Sequence, residues 1–324
     1  MIDSIGENLV ILVIGMLVFV GVILLIFLLA ERTSVRSQEV LRYAVFLGPA
    51  LLLLAIGLLY PAGRTIYLSF MNKQGQEFVG LDNYIWAFTT PEIQIVIRNT
   101  FIWVLVVPIF ATIFGLAMAY LTDRMKFASV VKSLVFLPMA ISMVGASIIW
   151  RFVYTYRPDD EQTEIGLLSA LVEAFGGEPL NWLLTAPLNT FLLIAVMVWI
   201  QTGFSMVVLS AAMKAIPDDI QEAAMLDGAG QFKRFLQVTV PMIRASIVVV
   251  VTTTLIGTLK VFDIVRTMTG GNFSTSVVAN EMYTQAFRQL NYGTGSTLAV
   301  LLLIAIIPLI WYNIRQLRLE RTER

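Results

Sequence analysis

The sequence contains no cysteine and no histidine, and only 14% of its 324 residues are charged. The lack of cysteine excludes disulfides and thiolate metal sites, and the lack of histidine removes the commonest acid–base group and metal ligand. We therefore expect no catalytic residue and no metal site in this chain. The formal net charge of +0 also leaves no basic surface of the kind that binds nucleic acid.

Apolar residues are as abundant as charged ones are scarce. Hydrophobic residues make up 58% of the chain and the mean hydropathy is +0.81, which indicates a protein embedded in a lipid bilayer. An apolar helix needs about 20 residues to cross the hydrocarbon core. Seven stretches approach or exceed that length, at residues 9–30, 43–63, 101–121, 134–153, 188–213, 243–261 and 298–314. The sequence therefore predicts an all-α membrane protein with about seven transmembrane helices, and Pro138 predicts a kink inside the fourth.

The basic residues predict the orientation of these spans. If the N-terminus is outside, the inside segments 31–42, 122–133, 214–242 and 313–324 carry 13 Lys and Arg residues, against 6 in the outside segments. The positive-inside rule then places the N-terminus outside and the C-terminus in the cytoplasm. The first stretch has no basic residue before it, so we interpret it as an uncleaved anchor and not as a secretory signal.

A polar segment, PDDIQEAAMLDGAGQFKRFLQVTVP at residues 217–241, separates two of the apolar stretches. Pro217 ends the preceding structure, the spacing of Asp218 and Gln221 is that of a capping box, and a short helix is expected up to Asp227. Gly228 then breaks the helix. On shape alone, this pattern also fits an ordinary loop between spans that carries a helix on the membrane surface.

The residue identities in this segment indicate one protein family more specifically than the predicted shape does. Glu222-Ala223-Ala224, Gly228 and Pro241 stand at the spacing found in one family, and the segment resembles the cytoplasmic EAA loop of binding-protein-dependent ABC importer permeases. Val238 and Val240 stand where that family usually has Ile and Leu. The resemblance implies that residues 214–242 dock on an ATPase, through Glu222, Ala223, Ala224, Asp227, Gly228 and Pro241.

Motifs elsewhere resemble the carbohydrate-importing branch of that family. They are YPAGRTIYLSF, GLDNY, GLAMAYL, VFLPMAIS and MTGGNFSTSVVANEMYTQAF, and together they cover the chain from about residue 43 to its end. The resemblance implies a six-helix permease core at residues 43–324, preceded by an anchor helix and a connector at residues 1–42. The similarity is to subunits that import maltose, trehalose or other α-glucosides. Asn272 follows Gly270-Gly271 where many members have proline.

The resemblance also implies partner proteins. The chain itself lacks a GxxxxGK[ST] phosphate-binding loop. ATP and Mg²⁺ are then expected on a partner ATPase, with no cofactor bound by this chain. The implied complex contains a second permease subunit, two ATPase subunits and an extracytoplasmic solute-binding protein. It would lie in the inner or plasma membrane of a prokaryote.

Polar side chains inside spans tend to face a cavity or a neighbouring helix. The candidates for a solute pathway are neutral or aromatic: Ser142, Ser147, Trp199, Gln201, Thr202, Ser205, Thr254 and Thr258. Serine and threonine in spans also serve helix packing through bonds to backbone carbonyls, so Gln201 is the strongest candidate. A pathway without charge in mid-span suits a neutral, hydroxylated solute.

These observations predict the permease subunit of an ATP-driven sugar importer, without an active site of its own. The alternative is a secondary transporter or a channel that works without ATP. Such proteins carry intramembrane charges, inverted repeats or matching broken helices, and the sequence shows none of these patterns. A scaffold or assembly factor, a third class, would not need an ordered EAA loop.

Overall fold

The computed structural model of the protein describes residues 14–17, 19–24, 28, 43, 47–123, 125–156 and 166–322. These residues are mostly helical, and among them no β-strand forms beyond an isolated antiparallel bridge between Met71 and Phe78. The prediction of an all-α membrane fold is confirmed in this coarse form.

Thirteen helices are numbered here in chain order, starting at residue 47. They are α1 (Leu47–Leu68), α2 (Asp82–Thr89), α3 (Pro91–Thr122), α4 (Ala128–Ala140), α5 (Met143–Val153), α6 (Leu167–Ala174), α7 (Leu188–Lys214), α8 (Asp218–Leu226), α9 (Gln231–Met242), α10 (Arg244–Leu259), α11 (Asp263–Met268), α12 (Val278–Tyr283) and α13 (Tyr292–Thr322). Short π-helical turns lie within α1 and α9, and a third follows α12.

Four helices are long and apolar enough to cross a bilayer without a break: α1, α3, α7 and residues Tyr292–Tyr312 of α13. They correspond to the second, third, fifth and seventh predicted stretches. With the two bent pairs described below, the described residues hold up to six spans. The first predicted stretch, 9–30, lies largely outside the described residues, although residues 14–17 and 19–24 are helical. The count of seven spans therefore stays a prediction.

The fourth predicted span, residues 134–153, is not one kinked helix. It consists of α4 and α5, which meet at an angle of 101°. The helix α4 ends at Ala140, two residues after Pro138, and the next residue, Ile141, is extended (φ −85°, ψ 138°). Ser142 starts the next helix by accepting the Gly145 N–H at 3.0 Å. The first N–H groups of a helix have no partner within that helix, and the Ser142 side chain accepts one of them. This cap marks the start of a separate helix, whereas a kink would leave one helix continuing through the bend. The kink predicted at Pro138 is therefore a break between two helices.

The sixth predicted span, 243–261, is also more complex than expected. Its helix α10 ends at Leu259 as the pattern suggested, but a further helix, α9, precedes it and is bent by 70° relative to it at Ile243. Ile243 is buried, 3% exposed, so apolar packing holds the corner in place.

Contacts divide the chain into two compact units, residues 1–67 and 68–324. In the first unit, no described side chain of α1 is buried. The second unit has its densest packing around α3 and α7, where Trp103 and Val107 meet Leu193 and Met197. The predicted domain limits, 1–42 and 43–324, remain predictions.

The α3–α7 crossing is close because a glycine of α3, Gly115, stands at the contact. A Cβ added to Gly115 would lie only 2.9 Å from the Met206 backbone nitrogen, and one added to Gly203 would lie 2.7 Å from the Val135 carbonyl oxygen on α4. Two glycines therefore allow α7 to approach both α3 and α4 with backbone contact.

Candidate coupling and solute sites

The EAA segment, residues 217–241, contains the predicted short helix. Helix α8 has nine residues and starts directly after Pro217. The predicted capping box does not form, since no side chain caps the helix. Gln221 instead donates its amide to the Thr239 hydroxyl at 3.3 Å, because the chain returns beside α8 through α9. This bond ties the two arms of the segment together.

Gly228 ends the helix, as predicted. Its φ is +75°, and the Gly228 and Ala229 N–H groups bond to the Met225 and Ala224 carbonyls, each at 3.0 Å. This is the usual left-handed helix end for which glycine is favoured. A Cβ at Gly228 would have no neighbour within 4 Å, so the requirement is for the backbone angle and not for space.

The side chains of the EAA segment are mostly exposed. Leu226 is 89% exposed and Phe232 is 72% exposed, and Glu222, Ala223, Asp227, Gly228 and Pro241 are exposed as well. Ala224 alone among the predicted coupling residues is buried. Exposed large apolar side chains, where they form one patch, mark a surface that binds another protein.

One aromatic contact joins the segment to the spans. The ring of Phe235 in α9 packs on Tyr120 near the end of α3, with centroids 4.3 Å apart. Phe232, Phe235 and Leu236 are the large apolar residues of this part of the segment. Phe235 alone of the three packs on a ring in the described structure, whereas Phe232 and Leu236 stay exposed.

Gln201 keeps the features of a solute contact. It lies on α7, is partly exposed, and makes no side-chain hydrogen bond with any described residue. Gly257 on α10 faces it, since a Cβ there would lie 3.7 Å from the Gln201 Nε2 atom. This distance is ordinary van der Waals contact, and the amide keeps its donors and acceptor for another polar group.

Trp199 and Thr202 lie on a different surface, a groove of about 540 Å³ lined mainly by apolar side chains of α3 and α7. The Thr202 hydroxyl is used within the helix, where it donates to the Val198 carbonyl at 2.7 Å. Trp199 packs edge-on against Trp150 on α5, with centroids 5.6 Å apart.

The remaining candidates serve local structure in this conformation. Ser147, Ser205 and Thr258 are fully buried, and each hydroxyl donates to the carbonyl four residues earlier, at 2.7, 3.0 and 2.7 Å. Thr254 is buried, and its hydroxyl has no hydrogen-bond partner among the described residues. Ser142 is exposed and caps α5. The structure thus leaves the Gln201 amide without a side-chain partner among the described residues, whereas the hydroxyls of Ser147, Ser205 and Thr258 bond within their own helices.

Sequence reasoning missed the anchoring of the 269–278 loop. The Asn99 amide in α3 donates to the Ser274 and Ser276 carbonyls at 2.6 and 3.1 Å, and the Asn189 amide in α7 donates to the Phe273 carbonyl at 2.9 Å. Both asparagines are buried. Phe273 and Ser274 are held at φ values of 55° and 59°, an uncommon conformation for residues other than glycine.

The same loop borders a polar cavity of about 570 Å³, lined by Arg151, Tyr154, Tyr156, Arg266 and Phe273 among others. Burial raises the pKa of the Tyr154 hydroxyl, and this hydroxyl donates to the Leu192 carbonyl at 3.2 Å. The Arg266 guanidinium lies 5.0 Å from the centroid of the Tyr283 ring. The sequence signals for this region were its pair of glycines and the motif MTGGNFSTSVVANEMYTQAF that contains them.

A second feature that sequence reasoning missed is a cluster of charges at one end of α3. Asp123, the residue that follows α3, contacts Lys132 on α4 and both Ser210 and Lys214 on α7. A carboxylate directly after a long apolar stretch was the available signal. Nothing in the sequence spacing indicates that Lys132 and Ser210, 9 and 87 residues away, are its partners.

A bundle of apolar helices with an exposed helix–glycine–helix segment belongs to the class of multi-span transport subunits. A family model described as "Binding-protein-dependent transport system inner membrane component" matches residues 85–321. The chain therefore belongs to this family, and the predicted class, the permease component of an ABC importer, is confirmed.

Two relatives are similar over most of their length. The osmoprotective compounds uptake permease protein GgtC of Synechocystis sp. is 46% identical over 280 residues, which are 86% of this chain and 100% of that protein. The alpha-glucoside transport system permease protein AglF of Rhizobium meliloti is 45% identical over 283 residues, 87% of this chain and 84% of that protein.

The fold itself matches a solved structure. A chain of a bacterial ABC transporter involved in the import of the acidic polysaccharide alginate aligns with a TM-score of 0.74 at 19% identity. The alignment covers 87% of this chain and 96% of that chain. This likeness shows the shared permease fold.

Proposed function

We propose that the chain is the permease subunit through which an ATP-driven importer carries a neutral sugar of the α-glucoside type into a prokaryotic cell. Family membership supports the ATP-driven class over a secondary transporter or a channel. The free amide of Gln201 opposite Gly257 is the observation that carries the choice of solute.

The proposed coupling site is the EAA segment. Glu222, Ala223, Ala224, Asp227, Gly228 and Pro241 are the residues for which the resemblance implies contact with an ATPase. Leu226 and Phe232 expose most of their surface beside them, and an ATPase subunit would cover these side chains. ATP and Mg²⁺ would bind on that partner, because this chain has no phosphate-binding loop.

The remaining partners follow from the family. A second permease subunit would complete the pathway, two ATPase subunits would bind below, and an extracytoplasmic binding protein would deliver the solute. The core domain at residues 43–324 would perform transport, and residues 1–42 would anchor the chain.

The proposed orientation places the N-terminus outside and the C-terminus in the cytoplasm of the inner or plasma membrane. It can be tested because the chain has no native cysteine. Ser274 and Gln231 are both exposed, so Cys at either position should be reactive from its own side. An impermeant thiol reagent should label Ser274→Cys in intact cells and should label Gln231→Cys only after the cells are opened. The reverse pattern would contradict the orientation.

The solute is argued from polarity. The relatives are named for an alpha-glucoside and for osmoprotective compounds. In this chain the predicted lining residues Ser142, Trp199, Gln201 and Thr202 carry no charge and keep some exposed surface. A sugar hydroxyl can both donate to and accept from the Gln201 amide. A charged solute would lack a counter-charge at these positions.

Radiolabelled uptake tests this proposal. Cells with the complete transporter should import maltose or trehalose in a manner that depends on this chain and on ATP, and a charged amino acid should be unaffected. Gln201→Leu should lower sugar uptake because a lost partner leaves a sugar hydroxyl unsatisfied, at a cost of about 1–3 kcal/mol. Gln289→Leu removes an exposed amide and serves as the matched control.

The outcomes separate the alternatives. If removal of this chain abolished amino-acid uptake and left sugar uptake unchanged, the sugar proposal would be rejected, and the permease class would stand. Sugar uptake that persists without the ATPase subunits would instead support a secondary transporter or a channel.

A further inference from the structure

The charged cluster around Asp123 occupies an unfavourable place. Asp123 directly follows α3, a helix of 32 residues, and the C-terminal end of a helix carries partial negative charge. A carboxylate at this end is disfavoured unless other groups compensate. The Asp123 side chain is only 19% exposed, so water alone does not provide the compensation.

Two other helices provide it. The Lys132 ammonium on α4 forms a direct ion pair with Asp123 and bonds to the Ser210 hydroxyl on α7. Ser210 Oγ lies 3.1 Å from each Asp123 carboxylate oxygen, and Lys214 Nζ lies 3.6 Å from Oδ1. One carboxylate therefore ties the ends of α3, α4 and α7 together.

The cluster is next to the EAA segment. Lys214 ends α7, and four residues later, at Asp218, the chain enters α8. Tyr120, one turn before Asp123, packs on Phe235. A cavity of about 460 Å³ separates the two regions and is lined by Asp123, Lys214, Asp218, Gln221 and Thr239 among others. The segment thus meets the spans at the cluster but is not packed tightly against it.

We propose that Asp123 is a positioning residue that transmits movement of the EAA segment to the spans, an inference that rests on the proposed coupling function. A force on α8 acts directly on the end of α7. The carboxylate passes it through Lys132 to α4, which joins α5 at the 101° break. A three-helix tie of this kind is a contiguous network of side-chain contacts that can carry energetic coupling between distant sites.

A merely structural ion pair would behave differently. It would contribute to thermal stability, and its loss would lower the amount of folded protein without changing how much solute moves for each ATP hydrolysed. The ratio of solute transported to ATP hydrolysed therefore distinguishes a positioning role from a structural one.

The test uses the complete transporter in proteoliposomes with its binding protein, and measures both uptake and ATP hydrolysis. Asp123→Asn should keep complex assembly and ATP hydrolysis but lower the transport ratio about tenfold, within the range of measured coupling energies. Asp123→Glu should retain most of the ratio. The charge swap D123K/K132D should recover much of it, because Lys214 is 65% exposed and can turn away. Glu92→Gln, an exposed acid in the first turn of α3, is the matched control.

Two results would overturn the inference. One is a wild-type transport ratio in Asp123→Asn. The other is a lowered ratio in Asp123→Asn that neither Asp123→Glu nor the charge swap restores. Failure of the proposed function would look different, since the unmodified complex would then show no ATP-dependent sugar uptake.

Discussion

The 269–278 loop and the EAA segment are both polar connections between spans, and they are built in opposite ways. Buried asparagines from α3 and α7 hold the loop, and its positive φ angles occur in a crowded setting. The EAA segment has its own positive φ at Gly228, but no atom lies within 4 Å of a Cβ placed there. One region is fixed by its own chain, and the other leaves most of its surface for a partner.

The difference shows which region is held in place by contacts within the chain and which one depends on a partner. Backbone strain persists only where surrounding contacts determine it fully, and the 269–278 loop meets that condition through bonds to Asn99 and Asn189. The EAA segment has few contacts to the spans beyond the Phe235–Tyr120 ring pair, so its position depends on what binds to it. The following substitutions test this contrast.

Gly271→Ala should have the largest effect on stability. Gly271 has a φ of +87°, and an added Cβ would lie 3.0 Å from the Ser276 Oγ atom and closer still to the Asn280 amide. We expect a loss of about 2–4 kcal/mol, since strain and steric overlap combine. Thermal unfolding of the purified protein in detergent measures it. Gly228→Ala, with a φ of +75° and open space, is the control and should cost only about 1–2 kcal/mol.

Asn99→Leu should have a smaller but clear effect. The substitution preserves most of the volume but removes the donor to two carbonyls, at 2.6 and 3.1 Å. We expect a loss of about 1–3 kcal/mol for the unsatisfied groups, measured by the same unfolding experiment. The matched control is Asn272→Leu, whose exposed amide makes a single bond to the Thr269 carbonyl. Equal stability of the two variants would break the contrast, since it would mean that the loop does not depend on α3.

Glu222→Lys should have the smallest effect on stability and a large one on association. Glu222 is exposed, so unfolding should change by no more than about 0.5 kcal/mol. Reversal of a charge at the proposed contact should lower the amount of ATPase that co-purifies, at normal membrane abundance. Co-purification and uptake at wild-type levels would show that this surface is not the coupling site.

The parts of the fold set by local chemistry were predictable from the sequence. The nine residues of α8 and the break at Gly228 follow from Pro217, the helix-forming letters and a glycine. The right-angle break between α4 and α5 was not predicted, because Pro138 alone indicates only a kink. The decisive contribution is the capping bond from the Ser142 side chain, and serine is common inside spans for other reasons.

Contacts between residues distant in sequence could not be predicted, because the local sequence does not encode them. Asn99 meets a loop 175 residues further on, and neither its letter nor its neighbours encode that contact. Gln201 was chosen by its polarity, and its role as a solute contact stays a prediction. Ser147, Ser205 and Thr258 were chosen by the same criterion but turn their hydroxyls to their own helices. Polarity alone does not distinguish the two fates.

The glycine contacts of α7 determine where the permease can hinge. Gly115 lies against Met206 and Gly203 lies against Val135, so the backbones of α3, α7 and the adjoining part of α4 are in direct contact. Sliding one of these helices past another would make their backbones collide. The two sharp corners, at residues 141–142 and at Ile243, lie next to this rigid group of helices. Alternation of the pathway between the two sides of the membrane is therefore expected to proceed by rotation of α5 and α10 about these corners, while the packing of α3, α7 and α4 stays unchanged.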